Sequence, residues 1–308
     1  MVNPSELYEL HDDDFDVPRG LHLIAGLTGF TDSGSTISQL GNHIFEKLDY
    51  RVVAMFENDE LLDYRSRRPV MFFEKDHISS YEPQVLALYL VTDEVGQKFL
   101  YLHGYEPDFK WDAFVDAVLE IVDIFEVLDF TWVHSIPFPV PHTRPISVTV
   151  SGNRKDLIDA VSEWKPQTQV PGNVLHLLEF RFTQEDIPSA GFVMLVPHYL
   201  SDVEYPQAAV AAFERITAAT GLVFPTDSLR EEGVKFTKEI TKNISENPEL
   251  AKMVSTLETG YNTDQSGTFN PKLSRLETAV PSADEIAAEL EDYLSLKRKQ
   301  SNEDPQGE

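Results

Sequence analysis

The sequence predicts a three-layer α/β/α domain with a mostly parallel sheet, followed by a C-terminal helical extension. Short apolar runs alternate with segments whose apolar residues recur at helical spacing, which is typical of α/β proteins. A strand, a helix and a second strand are predicted in succession at 21–25, 35–48 and 51–56, which indicates a β-α-β crossover. Beyond residue 225 the strand-like runs stop and helical patterns remain.

The other elements follow from the same patterns. An acidic segment at 6–16 is predicted to be loosely held, and a polar excursion at 58–69 is predicted beyond the second strand. Residues 173–182 fit a helix or a strand. The residues at 171–173 could begin a helix, whereas those at 178–182 alternate as in a strand. Further strands are predicted at 85–91, 98–102, 130–136, 146–150 and 190–197, with a short apolar stretch at 70–73. Further helices are predicted at 108–128, 154–163 and 207–220.

Three regions are predicted along the chain. Residues 1–225 form the α/β/α core domain, 226–300 form a C-terminal helical domain, and 301–308 form a disordered tail. The helices of the second region are predicted at 226–246, 248–259 and 283–298, with a long connection at 262–281. Ser282 and Glu285 give the last of these helices a capping-box pattern.

Composition excludes several classes of function. The 52 acidic and 25 basic residues give a net charge of −27, which repels nucleic acid and anionic membranes. Cysteine is absent, which excludes thiolate chemistry and favours a reducing, cytoplasmic compartment. The N-terminal residues lack a signal-peptide pattern, and the longest apolar run, 85–91, is too short to span a bilayer.

A glycine-rich stretch at 26–36, called the glycine loop below, joins the first strand to the first helix. Gly29, Gly34 and the following Ser35-Thr36 imitate the spacing of a phosphate-binding P-loop. Ser35, however, stands where that motif needs lysine, and Asp32 adds a negative charge, so nucleotide triphosphates are disfavoured. The glycines serve either a tight turn or an anion cradle, and Ser33, Ser35 and Thr36 are the predicted helix caps.

Loops at the carboxyl ends of strands build the site in an open α/β sheet, so the glycine loop and the proline-rich loop at 137–145 are expected at one rim. The predicted binding residues, called the rim below, are Gly29, Phe30, Asp32, Ser33, Gly34, Ser35, His142, Arg144, His198 and Tyr199. Asp32, His134, His142, Arg144 and His198 are the candidates if the rim were catalytic.

Structural roles for these residues outweigh catalysis. No nucleophile elbow, His-Glu-x-x-His motif or dinucleotide fingerprint is present, and the histidines show no metal-binding pair at helical spacing. We therefore expect no catalytic residue, metal site or cofactor. His142 and Arg144 fit better as hydrogen-bonded supports of their loop, and His198 with Tyr199 as a satisfied edge pair. Trp111, Trp132 and Trp164 fit core or interface anchors.

Several short motifs follow one another over about 20–298. They are Gly29-Phe30-Thr31-Asp32-Ser33-Gly34, Tyr105-Glu106-Pro107-Asp108-Phe109-Lys110-Trp111, Val140-Pro141-His142-Thr143-Arg144-Pro145, Pro197-His198-Tyr199-Leu200, Leu257-Glu258 with Tyr261, and Ala288-Glu289-Leu290-Glu291 with Tyr293-Leu294. With these motifs in this order and spacing, the chain resembles the proteasome assembly chaperone 2 family, in particular its long actinobacterial branch.

The resemblance implies a phosphorylase/hydrolase-like α/β/α architecture, a helical extension and self-association as a homo-oligomer, with a trimer as one expected form. Some archaeal relatives dock through a C-terminal hydrophobic-tyrosine-any tail, which the final residues Pro305-Gln306-Gly307-Glu308 lack. Two hypotheses remain open. The first is a non-catalytic assembly-chaperone-like protein that holds a protein partner, and the second is a small-molecule-binding or phosphorylase/hydrolase-like enzyme that uses the glycine loop as an anion cradle.

Overall fold

The structure is a computed structural model that describes residues 3–11, 17–161, 167 and 169–264. Its strands are β1 (Tyr8–Leu10), β2 (His22–Thr28), β3 (Asp49–Phe56), β4 (Val70–Glu74), β5 (His77–Glu82), β6 (Leu86–Thr92), β7 (Lys98–Tyr105), β8 (Asp129–Phe138), β9 (Ser147–Gly152) and β10 (Ser189–Pro197). Its helices are α1 (Thr36–Lys47), α2 (Asn58–Leu61), α3 (Trp111–Phe125), α4 (Lys155–Val161), α5 (Val174–Gln184), α6 (Pro206–Thr220), α7 (Asp227–Glu246) and α8 (Pro248–Asp264).

Eight strands form one sheet in the order β1-β3-β6-β7-β2-β8-β10-β9. The central strands β7, β2, β8 and β10 pair in parallel, and β9, β6 and β1 pair antiparallel to their neighbours. The strands β2 and β3 of the predicted crossover run in the same direction, with β7 and β6 inserted between them. The predicted α/β fold with a mainly parallel sheet is confirmed.

Helices cover both faces of this sheet, and alternate residues of the strands face opposite layers. In β2, Ile24 belongs to the apolar cluster of α1 and α6, whereas Leu23 and Ala25 belong to the cluster of α3 and α5. Both clusters are built from buried side chains, so the central strands are covered on each side. This is the three-layer arrangement that buried parallel strands require.

The helices beyond residue 225 continue one of these layers. Leu229, Ile240 and Ile244 of α7 and Val254 of α8 are buried in the cluster that contains α1 and α6. The predicted helix at 283–298, its capping box, the connection at 262–281 and the tail lie largely or wholly outside the described residues. The division into a core domain and a helical domain stays a prediction. No helix in the described part of the chain is long and apolar enough to cross a bilayer.

Two local predictions are corrected or resolved. The segment at 6–11 is not loosely held, because Leu7 is fully buried and β1 pairs antiparallel with β3. Its acidic remainder at 12–16 lies outside the described residues, as does Trp164. The ambiguous segment at 173–182 is the helix α5, because Val174, Leu175, Leu178 and Phe182 form one buried face. A capping box between Asn173 and His176 begins this helix.

The strands β4 and β5 form a separate two-stranded hairpin, called the exposed hairpin below. β5 follows the predicted apolar stretch at 70–73, but the sequence did not indicate it, because Ser79 and Ser80 interrupt its apolar pattern. Every residue of both strands is exposed to solvent. Its large apolar residues are Val70, Met71, Phe72, Phe73, Ile78 and Tyr81.

Candidate functional site

The glycine loop connects β2 to α1 and is tied to the segment that follows β10. Gly34 adopts a left-handed conformation with a φ of 68°, as the tight turn requires. Its N–H donates to the carbonyl of Ser201 at 2.7 Å, and its carbonyl accepts from the N–H of Tyr205 at 2.9 Å. The loop therefore closes against the chain that leaves β10.

The start of α1 is capped by Asp32. Its carboxylate accepts from the N–H of Ile37 at 2.7 Å, and from both the N–H and the hydroxyl of Ser38 at 3.0 and 2.7 Å. Ser33, Ser35 and Thr36 were predicted as caps, but the side chain of the N-cap residue Ser35 makes no capping bond. This assignment was wrong, because the loop folds back far enough to bring Asp32 to the helix end.

That geometry bears directly on the anion-cradle hypothesis. The backbone N–H groups that would hold an external anion at the start of α1 already donate to the carboxylate of Asp32. An incoming phosphate would meet a fixed negative charge at the same donors. The loop is thus built as an internally satisfied turn, and Gly34 gives it the backbone conformation that it needs.

The proline-rich loop meets the same segment after β10. The hydroxyl of Tyr199 accepts from the backbone N–H of His142 at 2.8 Å and lies 2.7 Å from its Nδ1. Nε2 of His142 lies 3.1 Å from the hydroxyl of Thr241 on α7. His198 hydrogen-bonds the backbone of Phe138. Both loops therefore converge beside β10. His142 connects the proline-rich loop to Tyr199 and to α7, and His198 connects the segment after β10 to the end of β8.

His134 lies within β8, beside the glycine loop. Its Nε2 is 3.0 Å from the hydroxyl of Thr31, and the exposed ring of Phe30 stacks on its imidazole with 5.7 Å between centroids. Burial lowers the pKa of His134 to about 4, so the ring is neutral at pH 7. Its Nδ1 is buried without a partner among the described residues, so it lacks the carboxylate that orients the base of a hydrolytic triad.

The structure places the other rim residues as follows. Ser33 is buried, and its carbonyl accepts from the hydroxyl of Thr36 at 2.7 Å. Arg144 lies at the far edge of the proline-rich loop, 3.6 Å from Glu258 on α8. Within the described residues no group of three histidine or acidic side chains is arranged to hold a metal ion. That the rim binds a ligand or a partner stays a prediction.

Arg67 is a rim neighbour that sequence reasoning missed. Its guanidinium donates to the carbonyl of Glu106, pairs with Asp108 at 3.2 Å and lies over the ring of Tyr105. A Cβ at Gly29 would overlap this guanidinium, so glycine at that position allows the close approach. Arg67 thereby holds the excursion at 58–69 against the glycine loop. No sequence signal links an arginine to a glycine so far along the chain.

Two further buried polar residues near the rim were also missed. One carboxylate oxygen of Glu106 accepts from the N–H of Val174 at 2.7 Å, at the start of α5, and burial raises the pKa of this carboxyl. Nδ1 of His103 lies 2.9 Å from both the hydroxyl of Tyr101 and the carbonyl of Gly26, and burial lowers its pKa to about 4. Glu106 thus stabilises the start of α5, and His103 connects β7 to the neighbouring strand β2.

A sequence model of the PAC2 family matches residues 26–244. The chain belongs to the PAC2 family. Two solved structures are similar over most of the PAC2 chain. A Mycobacterium tuberculosis protein of unknown function, Rv2714, has 36% sequence identity and a TM-score of 0.80, with 85% of this chain and 92% of that one covered. A Corynebacterium glutamicum protein of unknown function has 33% identity and a TM-score of 0.81, covering 84% and 98%.

A more distant structure shares the fold of this PAC2 protein. It is the M. tuberculosis proteasome-assembly chaperone homologue Rv2125, with 21% identity and a TM-score of 0.70, covering 76% of this chain and all of that one. No protein of curated function matches the sequence. The resemblance inferred from the motifs is confirmed, including the residues of the glycine loop and the proline-rich loop, which lie inside the matched range.

Proposed function

We propose that this PAC2 protein acts in the cytoplasm as a non-catalytic, assembly-chaperone-like protein that holds a protein partner and self-associates, with a trimer as the expected assembly. The observation that carries the proposal is the exposed hairpin. Six large apolar side chains on its two strands, from Val70 to Tyr81, are each between 50% and 63% exposed. Such a concentration of exposed apolar surface marks a site of protein contact.

The pairing register brings four of these side chains together across the two strands. Met71 pairs with Tyr81 and Phe73 pairs with Ile78, on either side of a register shift between Phe72 and Phe73. These two neighbouring cross-strand pairs are called the apolar face of the hairpin below. A two-stranded hairpin is marginally stable alone in water. A partner that covers this face would gain roughly 1 kcal/mol of binding free energy for each half-exposed apolar side chain that it removes from water. A partner that covers the face would therefore stabilise both itself and the hairpin.

The charge of the chain favours one kind of partner surface. With a net charge of −27, the protein attracts basic surfaces and repels acidic ones at long range. We therefore infer a protein partner whose contacting surface is apolar at its centre and basic around it. The shared fold with a proteasome-assembly chaperone homologue makes proteasome subunits the first proteins to test.

The enzymatic alternative has less support. It needs free donors in the glycine loop and an acid, base or nucleophile beside them. The donors at the start of α1 bind Asp32, and the neutral His134 contacts Thr31 and Phe30 but hydrogen-bonds no carboxylate in the described part of the chain. These contacts stabilise the rim and weigh against its use as a reaction centre.

The test compares two matched double variants of the full-length protein. Met71→Ser with Phe73→Ser removes two side chains from the apolar face of the hairpin. Val95→Ser with Phe180→Ser removes two equally exposed apolar side chains elsewhere. Each protein is used for affinity purification, and any stoichiometric partner is purified and the complex reconstituted. We expect the hairpin variant alone to lose the complex.

Two results would contradict the proposal. One is a reconstituted complex that the hairpin variant forms as tightly as wild type. The other is the absence of any stoichiometric protein together with turnover of a small substrate. Self-association is measured separately by light scattering, where a mass near that of one chain, 34.9 kDa, would exclude the expected oligomer.

A further inference from the structure

A cavity of about 690 Å³ lies between α6 and α7, and the proline-rich loop closes one end of it. This volume is within the usual range for small-molecule sites. No residue of the glycine loop or of the exposed hairpin lines the cavity. The rim residues His142 and Arg144 do line it, so the cavity adjoins the proline-rich loop and is separate from the glycine loop and from the proposed protein-binding surface.

The charge around the cavity is opposite to that of the chain. Arg144, Arg215, Arg230 and Lys238 line it, with Glu214 as the sole acidic residue among the described lining residues. Glu214 accepts from Arg230 at 2.9 Å and Glu258 of α8 lies 3.6 Å from Arg144, so two of the four cations are offset and Arg215 and Lys238 carry the remaining charge. In a chain with 52 acidic and 25 basic residues, this excess of positive charge attracts an anion.

Two buried polar atoms in the cavity wall make no hydrogen bond with the described residues. They are Nε of Arg215, a donor, and Oε1 of Gln207, an acceptor. The amide nitrogen of Gln207 donates to the carbonyl of Gly233 and the hydroxyl of Thr237, which holds this side chain in place across the two helices. Buried polar groups are nearly always satisfied, so an acid oxygen at Arg215 and a hydroxyl at Gln207 would complete the site.

The rest of the wall contains the polar side chains of His142 and Thr237 and an apolar part that includes Ile146, Val210, Ala211 and Val234. From these features we propose that the cavity binds a small organic anion, namely a carboxylate or phosphate monoester with an apolar body. Arg215 and Lys238 receive the acid group, and the apolar residues contact the body of the ligand. Because α6 and α7 both contact the ligand, its binding raises the melting temperature of the protein.

Isothermal titration calorimetry on the full-length protein tests this proposal with three probes. Phenyl phosphate and benzoate carry the acid group on an apolar ring, and benzyl alcohol carries the ring without the charge. We expect one of the anions to bind saturably at one site per chain and benzyl alcohol to bind at least about tenfold more weakly, since charge-assisted hydrogen bonds are the stronger ones. Which anion binds distinguishes a phosphate site from a carboxylate site.

Variants then locate the binding. Arg215→Gln and Lys238→Met are each expected to weaken the preferred anion about tenfold. The matched control is Lys235→Met, which removes an exposed lysine of α7 that does not line the cavity and should leave the affinity within about twofold. Thermal unfolding of each variant verifies folding. Lys238→Met is less of a risk to the fold than Arg215→Gln, because Lys238 is exposed and Arg215 is half-buried.

Three results would overturn the proposal. The first is that neither anion binds wild type saturably. The second is that benzyl alcohol binds as tightly as the anions, because the site would then be merely apolar. The third is that Lys235→Met weakens binding as much as Lys238→Met, because the anion would then be responding to the general charge of α7.

Discussion

The rim and the exposed hairpin use their side chains in opposite ways. At the rim, Asp32, His142 and Tyr199 are engaged in hydrogen bonds within the chain. On the hairpin, Phe72 and Phe73 are more than 60% exposed, and each strand contacts only the other within its sheet. The rim residues that the sequence offers as candidates for catalysis stabilise the fold instead. The surface that we propose for binding has only a weak sequence signal, because β5 shows no apolar pattern.

This contrast sets the direction of the expected effects. Substitutions at the rim should reduce stability, because they remove contacts that the folded chain already makes. Substitutions on the hairpin should leave stability unchanged and alter association, because the contacts that they remove are still to be made. Each prediction below would weaken the contrast if it failed.

The largest effect is expected from Gly34→Val. The φ of 68° imposes strain of about 1–3 kcal/mol on a branched residue. A Cβ there would also lie 3.0 Å from Cβ of Tyr205, and such overpacking costs about 1–3 kcal/mol. The free energy of unfolding, measured with denaturant, should therefore fall by about 4 kcal/mol.

Gly96→Val is the matched control. Gly96 has a φ of 89°, but a Cβ added at this position would meet no atom within 4 Å, so this change reports backbone strain alone. It should cost about 1–3 kcal/mol, less than the change at Gly34. Equal losses for the two variants would show that the glycine loop is not packed against Tyr205.

Acid is expected to destabilise the protein through its buried histidines. Burial lowers the folded-state pKa of His134 from 6.5 to about 4, so below pH 6.5 the unfolded chain binds a proton that the folded chain excludes. The part of the unfolding free energy that depends on His134 is therefore fully present above pH 6.5. It is lost as the pH falls towards 4, by on the order of 3 kcal/mol.

His134→Asn isolates this contribution. Asparagine does not titrate, so the difference in unfolding free energy between pH 7 and pH 4.5 should be smaller in the variant than in wild type. His103 also has a pKa lowered to about 4, so part of the dependence should remain. An unchanged pH dependence would show that His134 is accessible to protons in the folded protein.

A smaller loss is expected from Asp32→Ala. This change removes the carboxylate that accepts from the N–H groups of Ile37 and Ser38, and loss of a helix cap costs about 0.5–2 kcal/mol. It also frees the donors at the start of α1. We expect inorganic phosphate to raise the melting temperature of the variant and not to act on wild type at this loop.

If phosphate raised the melting temperatures of wild type and Asp32→Ala equally, Asp32 would not be what keeps phosphate from the start of α1. The comparison uses Asp202→Ala as a control, because Asp202 accepts from the hydroxyl of Ser201 near the same rim without capping α1. Its removal takes away one negative charge but no helix cap. It should therefore leave the response to phosphate as it is in wild type.

The sequence revealed the fold better than it revealed the contacts of the site. Strands such as β2 and helices such as α1 and α3 were predicted because burial on one face or both imposes a regular apolar pattern. The helix α5 was left open, since its residues 178–182 also alternate as a strand would. β5 was missed because every residue of this strand is exposed, and such a strand need not alternate apolar and polar residues.

The site depends on contacts between distant residues, which a pattern in one sequence does not encode. Arg67 reaches Gly29 and Glu106, and Asp32 reaches past three residues of the loop to cap α1. The cavity likewise combines Arg215 of α6 with Lys238 of α7. The convergence of the two loops was predictable, because it follows from the common edge at which parallel strands end.

The smallest effect on stability is expected from the hairpin variant Met71→Ser with Phe73→Ser. Both side chains are more than half exposed, so the free energy of unfolding should stay within about 0.5 kcal/mol of wild type. Phe130→Ala, which removes a fully buried ring from β8, supplies the contrast and should cost about 3–5 kcal/mol. A large loss of stability in the hairpin variant at protein concentrations that favour association, and none on dilution, would mean that another copy of this chain covers the apolar face. A large loss at every concentration would mean instead that the face is packed within the monomer, and the contrast between rim and hairpin would disappear.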